Sequence, residues 1–303
     1  MAKKEIQDTV IDKGYLNNPR LKKIGTDVNF TEEQVQEYLK CEADPVYFIE
    51  KYVKIINVDR GLIPFEMYDF QKRAIRTIHE NRFVITKWPR QSGKSVTLIS
   101  YFLYLILFNE NINIAILANK GQLANELLGR LKLAYEHIPL WLQQGIKTWN
   151  VGDIEVENGS KVKAAATSSS AIRGLSYNII MLDEFAHVPN HLAEEFFNST
   201  YPTISSGTTT KVLMISTPKG MNMFYKLWTD AIEGNNQYVP LEAFWNDVPG
   251  RDEKFKQDTI RNTSQLQWDQ EFACVKGDTE ILIFDNIEKK EKKIKIEDLY
   301  ENL

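Results

Sequence analysis

The chain has 303 residues, 43% of them apolar and 26% charged, enough to bury one large core or two modest ones. Fifteen Gly and ten Pro exclude collagen-like or low-complexity material, and the aromatic content excludes a disordered chain. With 37 basic against 41 acidic residues the net charge is −4, which excludes coating of nucleic acid by the whole surface but leaves room for a local basic patch. Cys41 and Cys274 lie far apart, so neither a disulfide framework nor a paired-cysteine metal site is expected and a reducing compartment is the default. The first residues lack the apolar run of a signal peptide. The longest apolar stretch, 96–108, falls short of the roughly 20 residues of a membrane span and contains Thr97 and Ser100, so it predicts a buried helix in a soluble, intracellular protein with no membrane partner.

Residues 1–44 form a polar segment with a helix predicted over 31–39, where Thr31 caps an acidic first turn, Glu32-Glu33-Gln34. The character changes at Pro45, and the main domain is expected over 45–273. Residues 83–88 read as a strand, followed by a turn and a long apolar helix to Phe108. Residues 113–118 read as a second strand, followed by an amphipathic helix over 122–135. Asn158-Gly159, flanked by 153–157 and 160–163, signals a hairpin. Residues 179–182 and 211–216 are further buried strands. Strands alternating with helices, with near-continuous apolar runs in the strands, predict an α/β fold with a mainly parallel central sheet covered by helices on both faces.

The expected chemistry gathers at two places. Trp88-Pro-Arg-Gln-Ser-Gly-Lys-Ser95 sits between a predicted strand and a predicted helix, the context of a P-loop. There, backbone N–H groups at the helix start cradle phosphates, Lys94 reaches the β and γ phosphates, and Ser95 ligates Mg²⁺. Trp88 stands where the usual pattern has its first Gly. Downstream, Asn178-Ile-Ile-Met-Leu-Asp-Glu184 places Asp183 at the carboxyl end of a buried strand, able to hold Mg²⁺, with Glu184 beside it as general base for an attacking water. The two motifs together predict an NTPase. Upstream, Tyr68-Asp-Phe-Gln71 has two readings: an adenine contact, or an amphipathic helix over 68–79 with Gln71 on its wet face. Of the histidines, His187 and His191 are spaced i,i+4 but interrupted by Pro189, and core or surface roles are expected for both.

Tyr68-Asp-Phe-Gln71, the P-loop, Ile180-Met-Leu-Asp-Glu184 and Met214-Ile-Ser-Thr-Pro218, in this order, resemble the ATPase domain of the large terminase subunit of tailed bacteriophages. The resemblance takes in Ala171-Ile-Arg-Gly-Leu-Ser176 and Pro218-Lys-Gly-Met-Asn-Met-Phe-Tyr-Lys-Leu-Trp228, and covers about residues 45–273. The family's variant loop lacks the first Gly and carries an Arg before the Gln, so Trp88 and Arg90 fit it. The resemblance implies ATP and Mg²⁺ as cofactors, with Tyr68, Gln71, Arg90, Gln91, Ser92, Gly93, Lys94 and Ser95 at the nucleotide. It implies that Arg90 touches the γ-phosphate and that Ser216, Thr217 and Pro218 couple phosphate state to movement. A plain strand-to-helix turn in which Thr217 caps the next helix is the alternative. It implies double-stranded DNA, a portal protein and a small terminase subunit as partners, assembly as a homo-oligomeric ring, and action in the host cell cytoplasm. A helicase-like DNA translocase and a non-hydrolysing portal-binding subunit are the competing readings. Nothing after residue 273 offers the spaced acidic residues of the family's nuclease domain.

Residues 274–303 differ in character, with 14 charged residues. Thr279-Glu-Ile-Leu-Ile-Phe284 and Lys293-Ile-Lys-Ile296 predict two short strands around a charged turn. Cys274-Val-Lys-Gly-Asp-Thr-Glu-Ile-Leu-Ile283 resembles the opening block of an intein, which implies a small β-rich fragment with Cys274 as the nucleophile attacking the Ala273 carbonyl. A buried free cysteine is the alternative. The intein's later blocks are missing, so the expected partner is a complementary chain carrying the C-terminal intein piece and the nuclease, or else the sequence is a gene fragment.

Overall fold

In the computed structural model, which describes residues 6, 8, 14–168, 176–273, 280–285 and 290–295, strand side chains alternate between two separate cores. Val84, Ile114, Ile116, Ile179, Met181, Leu213 and Ile215 enter one core; their neighbours Ile85, Ala115, Leu117, Ile180, Leu182, Val212 and Met214 enter the other. This period-2 division makes each strand apolar throughout and requires helices on both faces.

The elements in chain order are α1 (Glu32–Ala43), α2 (Pro45–Tyr52), β1 (Lys54–Asn57), β2 (Gly61–Pro64), α3 (Asp69–Glu80), β3 (Phe83–Lys87), α4 (Lys94–Phe108), β4 (Asn113–Ala118), α5 (Gly121–Tyr135), β5 (Ile146–Trp149), β6 (Asp153–Val156), β7 (Lys161–Ala166), β8 (Ile179–Asp183), α6 (Asn190–Ser206), β9 (Lys211–Ser216), α7 (Met223–Ile232), β10 (Val239–Glu242), α8 (Glu253–Asn262), α9 (Gln265–Trp268), β11 (Glu280–Asp285) and β12 (Lys290–Lys295). Eight strands form one sheet in the order β10-β3-β9-β8-β4-β7-β6-β5. The strands from β10 to β7 are parallel, and β6 and β5 add an antiparallel meander. The first core holds α2, α3, α4 and α5, and the second holds α6 and α7. α4 is apolar all round because it is enclosed, with Tyr101, Phe102, Leu103 and Ile106 fully buried.

Local chemistry explains the starts and turns. Thr31 accepts a hydrogen bond from the Gln34 N–H while Gln34 accepts one from the Thr31 N–H, a reciprocal cap for α1. The helix runs to Ala43, four residues beyond the expected end, because Cys41 is drawn into the first core. Gly159, at φ +84°, closes the β6–β7 hairpin that Asn158-Gly159 predicts. The strand expected over 83–88 stops at Lys87, and Trp88 turns inward to meet Phe70 edge-on at 5.0 Å. β10 carries no clear signal: it has four residues, none fully buried, and contains Pro240, which an edge strand tolerates. β11 and β12 pair antiparallel, and β12 begins at Lys290, three residues before the strand expected from Lys293. Ile296, the last residue of the second expected strand, lies outside the described residues. No described helix is long and apolar enough to cross a membrane.

The described part of 1–44 is bound to the main domain. Gln143, 2% exposed, accepts from the Lys22 N–H and donates to the carbonyls of Arg20, Tyr135 and Ile138. Leu21 is buried in the first core, and the Ile146 N–H donates to the Lys22 carbonyl at 2.8 Å, laying this segment along β5. Gln143→Leu strands a buried N–H and leaves several carbonyls short of a donor. It is expected to cost about 1–3 kcal/mol and to open residues 14–24 to protease. Urea unfolding and limited proteolysis check this, and an unchanged midpoint with unchanged cleavage sites contradicts it.

Candidate active site

Three parallel strands end side by side and set the site. In the register, Lys87 of β3 lies opposite Ser216 of β9, and Ile215 of β9 lies opposite Asp183 of β8. β9 therefore stands between the loop-bearing strand and the acidic strand, and all three carboxyl ends open on the same crevice, where α/β sheets bind ligands.

The loop after β3 is shaped by its own bonds. Gly93 adopts φ +77° at the N-terminus of α4, and a Cβ there would come within 2.5 Å of Gln71 Nε2. Gln91 also takes a positive φ, 56°. The Ser92 hydroxyl donates to the Pro89 carbonyl at 2.7 Å, and Gln71 Nε2 donates to the Ser92 carbonyl at 3.0 Å. Lys94 and Ser95 open the helix, where free N–H groups and the helix dipole favour an anion.

Across the crevice the acidic pair meets them. The Ser95 hydroxyl donates to Asp183 Oδ1 at 3.0 Å, and Lys94 Nζ pairs with Glu184 Oε1 at 2.8 Å. Burial, reinforced by the adjacent Glu184 charge, pushes the Asp183 carboxyl up to about 6; the Ser95 bond and Lys94 offset part of this. For Glu184 burial again opposes ionisation, but Lys94, His187 and the Thr217 N–H together hold its carboxyl below the usual range. Glu184 sits at φ 49°, a conformation costly for a residue with a Cβ, and its carboxylate gathers the contacts that hold it there.

The segment after β9 supplies those contacts. The Thr217 N–H and Thr217 hydroxyl each donate to Glu184 Oε2 at 3.3 Å, and the Ser216 hydroxyl, 3.3 Å from the same oxygen, donates to the Thr217 carbonyl at 2.7 Å. Ser216 also accepts from the Ala186 N–H, and its carbonyl accepts from the Trp88 N–H at 3.3 Å. Thr217 does not cap the next helix; Asn222 does, so that alternative is set aside. Pro218 follows, half-buried.

A cavity of about 430 Å³ lies over these groups, lined among others by Arg90, Lys94, Ser95, Glu184, His187 and Thr217. Tyr68 and Gln71 are not in its lining. Tyr68 opens α3 and borders a different cavity, of about 360 Å³, while Gln71 is 1% exposed, so the wet-face reading is corrected. Its amide oxygen accepts from the Tyr68 N–H and its nitrogen braces the loop. Residues 171–175 and Cys274 lie outside the described residues. Sequence reasoning missed four groups. His187 Nε2 lies 3.2 Å from Thr217 Oγ1 and 3.7 Å from Glu184 Oε2, and its spacing of three from Glu184 was the available signal. Asn119, at the end of β4, presents an Oδ1 with no hydrogen-bond partner among the described residues. Arg251 donates to the carbonyls of Arg90 and Gln91, and Glu271 pairs with Arg90 at 3.0 Å; no spacing pointed to either.

A glycine-turned loop on a helix N-terminus, faced by a buried Asp-Glu pair at a neighbouring strand end, defines a P-loop NTPase. Residues 86–290 match the family model described as terminase large subunit, T4likevirus-type, N-terminal, and the chain belongs to that family as its ATPase domain. Solved structures agree in fold. The large terminase of bacteriophage HK97 superposes with a TM-score of 0.64 at 15% identity, covering 79% of this chain and 56% of its own. The ATPase domain of the Thermus phage P74-26 large terminase gives 0.54 at 20% identity, covering 69% and 94%. The large terminase of another thermophilic bacteriophage, in complex with ADP, gives 0.55 at 13% identity, covering 73% and 56%. The chain thus spans just over half the length of the HK97 large terminase and of this ADP-bound one.

Because Asp183 is harder to ionise folded than unfolded, it favours the folded state below its unfolded value near 3.8, and that advantage is lost as pH rises through about 6. Asp183→Asn removes the buried charge and is expected to raise the melting temperature at pH 7.5, measured without nucleotide, by a few degrees, equivalent to roughly 1–3 kcal/mol. At pH 4 the gain should shrink; calorimetry at both pH values checks it, and an equal or negative shift at pH 7.5 contradicts it.

Proposed function

We propose that this domain hydrolyses ATP to drive double-stranded DNA into a phage head. The observation that carries the reading is the pairing of Lys94 with Glu184 and of Ser95 with Asp183 across one crevice. The all-oxygen donor set of Ser95 and Asp183 fits Mg²⁺, whose chemistry is to neutralise charge developing on the phosphates. The loop N–H groups hold the β-phosphate, and Lys94 exchanges Glu184 for the β- and γ-phosphates. That exchange frees Glu184 Oε1 to accept the proton of a water attacking the γ-phosphorus. The bond to the bridging oxygen breaks, leaving ADP and inorganic phosphate. Ser216 and Thr217 orient Glu184 through Oε2, so a change at the phosphate is felt on β9, the coupling role expected of Ser216-Thr217-Pro218. A portal protein, a small terminase subunit and a homo-oligomeric ring complete the motor in the host cell cytoplasm, with the nuclease supplied by another chain.

Glu184→Gln is expected to keep nucleotide affinity while lowering turnover about 10²-fold or more, and Lys94→Ala to weaken binding at least about tenfold. Equilibrium binding and phosphate-release assays read both, and undiminished hydrolysis by Glu184→Gln rejects the assignment.

We infer also that residues 274–303 are the N-terminal piece of an intein. The charge shift at Cys274, the Gly277-Asp278-Thr279 run and the β11–β12 pair support this reading; the family match, which runs on to residue 290, weighs against a boundary at Ala273. Co-expression with a complementary C-terminal half should yield a ligated product through Ala273 that Cys274→Ala abolishes, and ligation that survives the substitution excludes Cys274 as the nucleophile.

A further inference from the structure

We propose that Glu271 is a positioning residue that competes with the terminal phosphate of ATP for Arg90, so that the last turn of the domain registers whether that phosphate is in place; this rests on the ATPase reading above. Arg90 and Glu271 both line the phosphate cavity, together with Lys94, Ser95 and Glu184. The Arg90 guanidinium donates to Glu271 Oε1 at 3.0 Å, and the Arg90 N–H donates to the Glu271 carbonyl at 2.8 Å. The two partners are unequally held. The Arg90 side chain is 61% exposed, whereas that of Glu271 is 15% exposed.

Packing fixes the Glu271 side. Phe272 stacks on Trp268 at 4.9 Å with the rings 14° apart, and Phe255 and Trp245 meet Trp268 from other sides. Arg251 is set over both Phe255 and Phe272, at 5.3 and 5.4 Å, and donates to the carbonyls of Arg90 and Gln91 at 3.1 and 3.0 Å. The backbone of the loop and the segment from Arg251 to Phe272 are therefore one unit, and the Arg90 guanidinium is its movable member.

A terminal phosphate presents more charge and more acceptor oxygens than a carboxylate, so it outcompetes Glu271 for the guanidinium. The exchange leaves the Glu271 carboxylate without its cation and facing an anion of the same sign. Glu271 and His187 line the same cavity, and His187 lies against Glu184 and Thr217. ADP has no terminal phosphate to claim Arg90 and leaves the pair intact.

The experiment measures ATPγS and ADP affinities, with Mg²⁺, for the full chain and for Glu271→Ala, Arg90→Ala and the double variant. An exposed ion pair is weak, so Glu271→Ala should tighten ATPγS over ADP by roughly two- to fivefold. In the Arg90→Ala background the same change should have no effect, because Glu271 acts through Arg90. Glu271→Gln keeps the shape and should move affinity in the same direction, which guards against a folding defect in the alanine variant. An unchanged ATPγS-to-ADP ratio overturns the proposal, as does equal tightening without Arg90, which is plain repulsion between Glu271 and the nucleotide. If the unaltered chain binds neither nucleotide, or Lys94→Ala binds both as tightly, the ATPase reading itself has failed.

Discussion

Two neighbouring carboxylates at the end of a strand buried on both faces are an electrostatic burden, and the rest of the site is arranged around it. Asp183 and Glu184 repel one another and both lose water. Without compensation such a pair takes up a proton, and a protonated Glu184 could not act as a base. Lys94 resolves the conflict for Glu184 and Ser95 partly for Asp183, and both come from the first turn of α4. The loop and the acidic strand are thus bound together by charge across one crevice.

The interposed strand ties this pairing to the rest of the sheet. β9 lies between β3 and β8, and its last residues hold Glu184 on one side and accept from Trp88 on the other. At its opposite end, Lys211 donates to the carbonyls of Ile78, His79 and Asn81 at the end of α3. β9 therefore has defined contacts at both ends. α3 in turn braces the loop through Gln71, near its other end.

Much of the scaffold was legible because its signals are local. Near-continuous apolar runs marked β3, β4, β8 and β9, and Thr31 and Asn158-Gly159 marked a cap and a turn from a few residues each. The loop and the acidic pair were legible because their chemistry demands adjacent residues. What escaped depends on long-range contact. Gln71 reads as a wet-face residue by helical spacing, yet the loop at Ser92 covers it. Arg251 and Glu271 reach Arg90 from more than 150 residues away, through an aromatic cluster that has no periodic signature. β10 is short, half-exposed and interrupted by Pro240, and it is a strand because β3 offers an open edge. Residues 14–44 are polar enough to look separate, but Leu21 and Cys41 anchor them in the main core.

The two borders of the eight-stranded sheet carry a further consequence. Exposed sheet edges invite strands from other molecules, a hazard for any protein crowded at high local concentration. Here one border is β10, only four residues long and missing a backbone donor at Pro240. The other is β5, irregular between Ile146 and Thr148 and overlain by the stretch at Lys22 and Lys23. Neither border is a long, flat template, so the large sheet is guarded at both ends against edge-to-edge aggregation while its faces and crevice stay free for chemistry.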